Sequence, residues 1–161
     1  MTIGFILNGE DVTVDTEASV MLVDILRNTF ALAGTKANCY SGNCGACSVI
    51  FNGDVAKACL IPAFKIRDSE IITIEGFAQT DEYQDIIHGF VEAGVARCSF
   101  CDTGKILTTE ALLSRSQRLP REEILAGFHG IRCRCTDPEG LVRAVQAALA
   151  YRTRRLYGRI S

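Results

Sequence analysis

No uninterrupted apolar run in this chain approaches the ~20 residues that a membrane helix requires. The opening stretch MTIGFILNGEDVTVD has no basic region leading into a long apolar core and no small-residue cleavage site, so no secretory signal is expected there. A formal net charge of -2 gives no electrostatic footprint for nucleic acid. Only the last residues are locally basic, through Arg152, Arg154, Arg155 and Arg159, which read as a docking surface or a solvated helix end. The chain has no GxGxxG fingerprint and no phosphate-binding loop. Its two histidines, His88 and His129, fall in segments read as helical and have no evident partner, so no nucleophile-base constellation forms and no catalytic residue is expected. Internal repeats and low-complexity segments are also missing. These absences point away from nucleic acid and membrane, and towards the cytosol.

What is present is a globular composition, with 48% apolar and 22% charged residues over 161 positions, enough for one ordinary domain or two small ones. Thr2 to Leu7 is β-prone, and the Asn8-Gly9 turn before Val12 to Val14 predicts an opening hairpin. Val20, Met21, Val23, Ile25 and Leu26 fit a short helix over Ser19 to Arg27, with Ser19 as its cap. Gly34 to Cys47 breaks all periodicity and reads as a loop. Strand signals resume over Ala46 to Phe51, turn at Asn52-Gly53, return through Val55 to Leu60, and recur over Glu70 to Ile74. Beyond Gly76 the pattern becomes helical, with one stripe of Ile86, Ile87, Phe90 and Val91 and another of Ile106, Leu107, Ala111 and Leu112. Pro120 with Glu122 and Glu123 opens a third helix, and Asp137-Pro138 is an N-cap and N1 pair for a fourth. The reading is α+β, a sheet domain over residues 1–76 and a helical domain over residues 77–161.

Eight cysteines in a chain with no export signal are expected to be metal ligands, because the cytosol keeps thiols reduced. Cys39, Cys44 and Cys47, with Cys59 beyond a strand hairpin, have the plant-type ferredoxin spacing for a [2Fe-2S] cluster. Such a cluster is a buried anion, and backbone N–H groups must face its sulfurs. A loop wrapping it that closely needs positive φ and small side chains, which Ser41, Gly42, Asn43, Gly45 and Ala46 supply. Cys98 and Cys101 pair with Cys133 and Cys135 as a second four-thiol set at helix ends, with Asp102 or Thr103 as the expected cap of the helix carrying Ile106. Arg97, Arg132 and Arg134 bring positive charge there, either for the site or as solvated and paired surface groups. Zinc is the chemical rival to iron and sulfide. The CxxxxCxxC loop favours iron at the first site, whereas spacing alone does not separate the two metals at the second.

With these residues in view, GTKANCYSGNCGACSV from Gly34 to Val49, then Cys59, RCSFCDTG from Arg97 to Gly104 and GIRCRCTD from Gly130 to Asp137, the chain resembles the small iron-sulfur subunit of the molybdenum hydroxylases, the family of xanthine dehydrogenase and aldehyde oxidoreductase. The resemblance implies a β-grasp ferredoxin-like domain followed by a four-helix bundle-like domain, each with one [2Fe-2S] cluster. It further implies electron relay between a molybdopterin in a large partner subunit and FAD in a medium one, with no bond chemistry in this chain. Departures from the family pattern gather at the second site. Arg97 stands where that pattern has a glutamine contacting the pterin, Asp102-Thr103 replaces Thr-Pro, Lys105 replaces an apolar residue and Asp137 replaces a glycine. A zinc-stapled interaction module and a free-standing ferredoxin are the alternatives.

Overall fold

In the computed structural model, which describes residues 1–158, the N-terminal half is a five-stranded sheet. β1 (Thr2–Leu7) and β2 (Glu10–Asp15) form the expected antiparallel hairpin, pairing Leu7 with Glu10. Its two turn residues, Asn8 and Gly9, both have positive φ, as such a tight turn demands. β3 (Ser48–Phe51) pairs antiparallel with β4 (Asp54–Lys57) across the Asn52-Gly53 turn. β5 (Glu70–Ile72) lies between them, parallel to β1 and antiparallel to β3, giving the order β2-β1-β5-β3-β4.

One sheet face is covered by α1 (Leu22–Asp24), which runs on as a π-helical turn through Thr29. Leu22, Val23, Ile25 and Leu26 pack there against Ile3, Phe5, Val49 and Ile71. The expected start at Ser19 is displaced. Ser19 lies in a turn, and Met21 occupies the cap position, where an isolated bridge to Pro62 holds its backbone extended. Two predicted strands are also shorter than expected. After Lys57 the chain turns into a 3₁₀ helix over Ala58–Leu60, which buries Cys59, and after Ile72 it enters α2 (Ile74–Phe77).

The remaining helices are α3 (Asp81–Glu92), α4 (Asp102–Arg115), α5 (Arg121–Gly127) and α6 (Pro138–Tyr157). Their core gathers Phe77, Ile86, Phe90, Ile106, Leu107, Leu112, Ile124, Val145 and Ala148. Ile50, from the opposite face of the sheet, joins this cluster, so the sheet is shared by both cores. Val91 was expected in the α3 stripe but is 70% exposed. The α3–α6 crossing sets which face is inward: a Cβ on Gly89 would sit 2.7 Å from Ala148 Cα, so the helices meet backbone to backbone along Gly89, not along Val91.

The basic C-terminal stretch is neither a free docking surface nor merely solvated. Arg152 is buried and reaches Asp85 at 3.4 Å and Glu110 at 2.6 Å, while Arg155 binds Asp85 at 2.8 Å. Arg154 lies over the Tyr151 ring at 4.8 Å. Arg159 lies outside the described residues. Among the described residues, no helix is long and apolar enough to cross a membrane.

Candidate metal centres

None of the eight cysteines is in a disulfide, and they gather as the two expected groups. The first group is built by a loop that folds without repeating structure because its backbone is committed to its own sulfurs. Ser41 N–H donates to Cys39 Sγ at 3.4 Å, Ala46 N–H to Cys44 Sγ at 3.4 Å, and Cys59 N–H to Cys47 Sγ at 3.5 Å. Tyr40, Gly42 and Gly45 take positive φ to bring those N–H groups inward. Cys44, Cys47 and Cys59 are buried, and Cys39 is partly exposed. The hydrogen bonds from Ser41 hold the Cys39 thiol down to about 5, whereas burial and the neighbouring Cys47 push Cys59 up to about 12. Lys57, half-buried beside these four thiols, donates to Gly130 O at 2.9 Å.

The second group sits where α4 begins. Cys101 itself is the N-cap of α4 and makes no side-chain cap bond. The expected caps act elsewhere. Asp102 binds Arg97 at 2.7 Å, and the Thr103 hydroxyl donates to Gly34 O at 3.1 Å. Just ahead of α4, hydrogen bonds from the backbone of Cys101 and Phe100 hold the Cys98 thiol down to about 7. Cys133 and Cys135 come from the loop before α6. That loop ends at the predicted cap, where the Asp137 carboxylate accepts from Gly140 N–H at 3.2 Å. Cys101 Sγ stands 3.5 Å from Cys133 Sγ and 3.4 Å from Cys135 Sγ, and the latter two are 3.5 Å apart. The ligand atoms of Cys98, Cys101 and Cys135 all lie within 4.8 Å of one another.

Arg97 is turned to Asp102 and to Tyr83 Oη at 3.4 Å, with its side chain 46% exposed. Arg132 and Arg134 have no ion-pair partner among the described residues, and they line a cavity of about 580 Å³ onto which Cys39 and Cys44 open from one side and Cys98, Cys101 and Cys135 from the other. Arg132 N–H also donates to Cys44 O at 3.0 Å, so the backbone beside Cys133 is bonded to the loop of the first group. The histidines stay apart from both groups. His88 packs on Tyr151 with ring centroids 5.3 Å apart, and His129 lies in the turn beyond α5, outside the helix expected for it. Two features escaped the sequence reading: the Lys57–Gly130 bond, and the complete burial of Lys105, whose ammonium donates to Ala96 O at 2.9 Å.

Comparison with known proteins agrees with this geometry. Residues 5–71 match a 2Fe-2S iron-sulfur cluster binding domain, and residues 73–146 match a [2Fe-2S] binding domain. The chain is 40% identical over 155 residues to the nicotinate dehydrogenase small FeS subunit of Eubacterium barkeri, covering 96% of each protein. It superposes on quinoline 2-oxidoreductase from Pseudomonas putida 86 with a TM-score of 0.84 and 28% identity, covering 99% of this chain and 98% of that one. Against the aldehyde oxidoreductase of Desulfovibrio gigas the TM-score is 0.85 at 32% identity, covering 98% of this chain but 18% of that one. The two matched domains define a 2Fe-2S protein. The chain belongs to the small iron-sulfur subunits of the molybdenum hydroxylase family.

Proposed function

We propose that this chain relays electrons through two [2Fe-2S] clusters, one held by Cys39, Cys44, Cys47 and Cys59 and the other by Cys98, Cys101, Cys133 and Cys135. The donor sets fit the group: each offers four unbridged thiols, and backbone N–H groups already point at sulfurs that would carry negative charge. When bound, the clusters supply reversible one-electron storage; the chain supplies ligands, charge compensation and spacing. The observation that carries the reading is the joining of the two groups, which share one cavity and are linked by the hydrogen bond from Arg132 N–H to Cys44 O.

The same reading places a molybdopterin in a large partner subunit and FAD in a medium one, with the second group facing the pterin. Arg97, whose guanidinium is bound on one side and open on the other, is the proposed pterin contact. The reading divides the chain into a ferredoxin-like domain over residues 1–76 and a helical domain over residues 77–161; two hydrophobic clusters support two cores, which meet at the sheet through Ile50. The cytoplasmic setting of this reading suits eight unpaired thiols.

The test is iron and acid-labile sulfide per chain, purified anaerobically, with an EPR spectrum after dithionite reduction. About four irons and two S = 1/2 signals are expected. About two irons and one signal would remove the second site from the relay. Zinc without iron or sulfide would replace the reading with a zinc-stapled interaction module.

A further inference from the structure

Lys105 is fully buried, with no exposed surface at all. Its ammonium donates to Ala96 O at 2.9 Å and to Thr136 Oγ1 at 3.4 Å, both neutral acceptors, and the third donor has no oxygen partner among the described residues. Nor does any carboxylate among the described residues pair with it. A buried ammonium with no anion is costly, and such groups are found with a counter-charge. The surrounding elements offer one. Lys105 stands one helical turn after Cys101 on α4, its backbone N–H bonded to Cys101 O at 3.0 Å, and Thr136 is the neighbour of Cys135. The lysine therefore lies beside the second four-thiol group.

We propose that Lys105 is the built-in counter-charge of the second site, an ammonium that raises the reduction potential of the [2Fe-2S] cluster held by Cys98, Cys101, Cys133 and Cys135. This rests on the reading of that site as an iron-sulfur centre. Adding one electron makes the site one unit more negative, and a positive charge fixed beside it favours the reduced form. For a separation on the order of 6 Å and an effective permittivity of about 20, a full charge shifts a one-electron equilibrium about a hundredfold. That is about 120 mV for a one-electron couple. The consequence is directional: the second site becomes a better electron acceptor than the same four thiols would make without the lysine.

The test is an EPR-monitored redox titration with dithionite of the full chain and of Lys105→Met and Lys105→Arg, each with its iron and sulfide content. In Lys105→Met one signal should move to lower potential by about a hundredfold in the reduction equilibrium while the other holds. Lys105→Arg, which retains the charge, should keep most of the parent potential. If Lys105→Met loses half its iron and Lys105→Arg does not, the charge is what holds the site, in agreement with the proposal. A Lys105→Met chain with full iron and neither signal moved beyond about threefold overturns it. So does loss of half the iron in both variants, which would make the lysine a matter of shape. A parent chain with only two irons would instead fail the iron-sulfur reading of the second site, before any variant is compared.

Discussion

Gly45, between Cys44 and Ala46 in the first cysteine loop, carries two separable demands. Its φ is +76°, and a Cβ there would lie 2.8 Å from Gly130 O and 3.2 Å from Ile131 Cα, both backbone atoms that cannot rotate away. Gly45→Ala therefore adds left-handed strain of about 1–2 kcal/mol and overpacking of about 1–3 kcal/mol, roughly 2–5 kcal/mol together. Two other glycines separate the contributions. Gly53 has φ +89° and nothing within 4 Å, so Gly53→Ala should show strain alone. Gly104, inside α4, would place a Cβ 2.8 Å from Gly45 O and 2.8 Å from Ile131 Cδ1 without positive φ. Gly104→Ala thus shows packing alone, offset by up to about 1 kcal/mol of helix propensity. At about 2–4 °C per kcal/mol for a chain of this size, apparent melting temperatures measured anaerobically by circular dichroism should fall by roughly 4–20 °C for Gly45→Ala and by roughly 2–8 °C for Gly53→Ala. Iron content measured alongside shows whether the loop still binds. Equal melting of Gly45→Ala and Gly53→Ala would mean that the contact between the first loop and the Gly130-Ile131 backbone carries no energy, and the joining of the two sites would lose its structural support.

Cys44→Ser removes one buried ligand and should cut iron from about four to about two per chain, destabilising the sheet half more than the helical half, because metal binding and folding are coupled; unchanged iron would refute its assignment. Lys57→Met deletes the half-buried cation beside the first thiols and the bond to Gly130 O, and should lower that site's reduction equilibrium about tenfold in an EPR-monitored titration. A rise in potential would reverse the sign of the argument. Asp85→Ala leaves Arg152 and Arg155 without their shared carboxylate, and urea unfolding should show a loss of about 3–5 kcal/mol. A loss under about 1 kcal/mol would mark the α3–α6 ion pairs as solvated in effect.

The parts legible in the sequence were those whose cause is local. The Asn8-Gly9 and Asn52-Gly53 turns each impose positive φ on two adjacent residues, and both hairpins follow from that. The Asp137-Pro138 start of α6 is likewise complete within four residues. What could not be read depends on groups brought together by tertiary structure. Asp102 and Thr103 have the right chemistry to cap α4, yet Arg97 and Gly34 claim them, and Cys101 takes the cap position with no side-chain bond. The arginines near the C-terminus looked solvated because their carboxylate partners, Glu82, Asp85 and Glu110, lie on α3 and α4. The same logic applies to the cysteines. Spacing along the chain assigns each to a group of four, but their use in a relay depends on whether the groups meet. That is decided by Gly45, Gly104 and Ile131, three residues with no polar side chain, whose close packing holds the first loop against the start of α4 and lets Arg132 N–H reach Cys44 O. Electron transfer between the halves should therefore respond more sharply to a methyl group at Gly45 or Gly104 than to neutralising the exposed Arg134. Flash reduction of one site followed by the appearance of the second EPR signal would compare the three variants directly, and equal rates in all of them would show that the contact sets stability and not the relay.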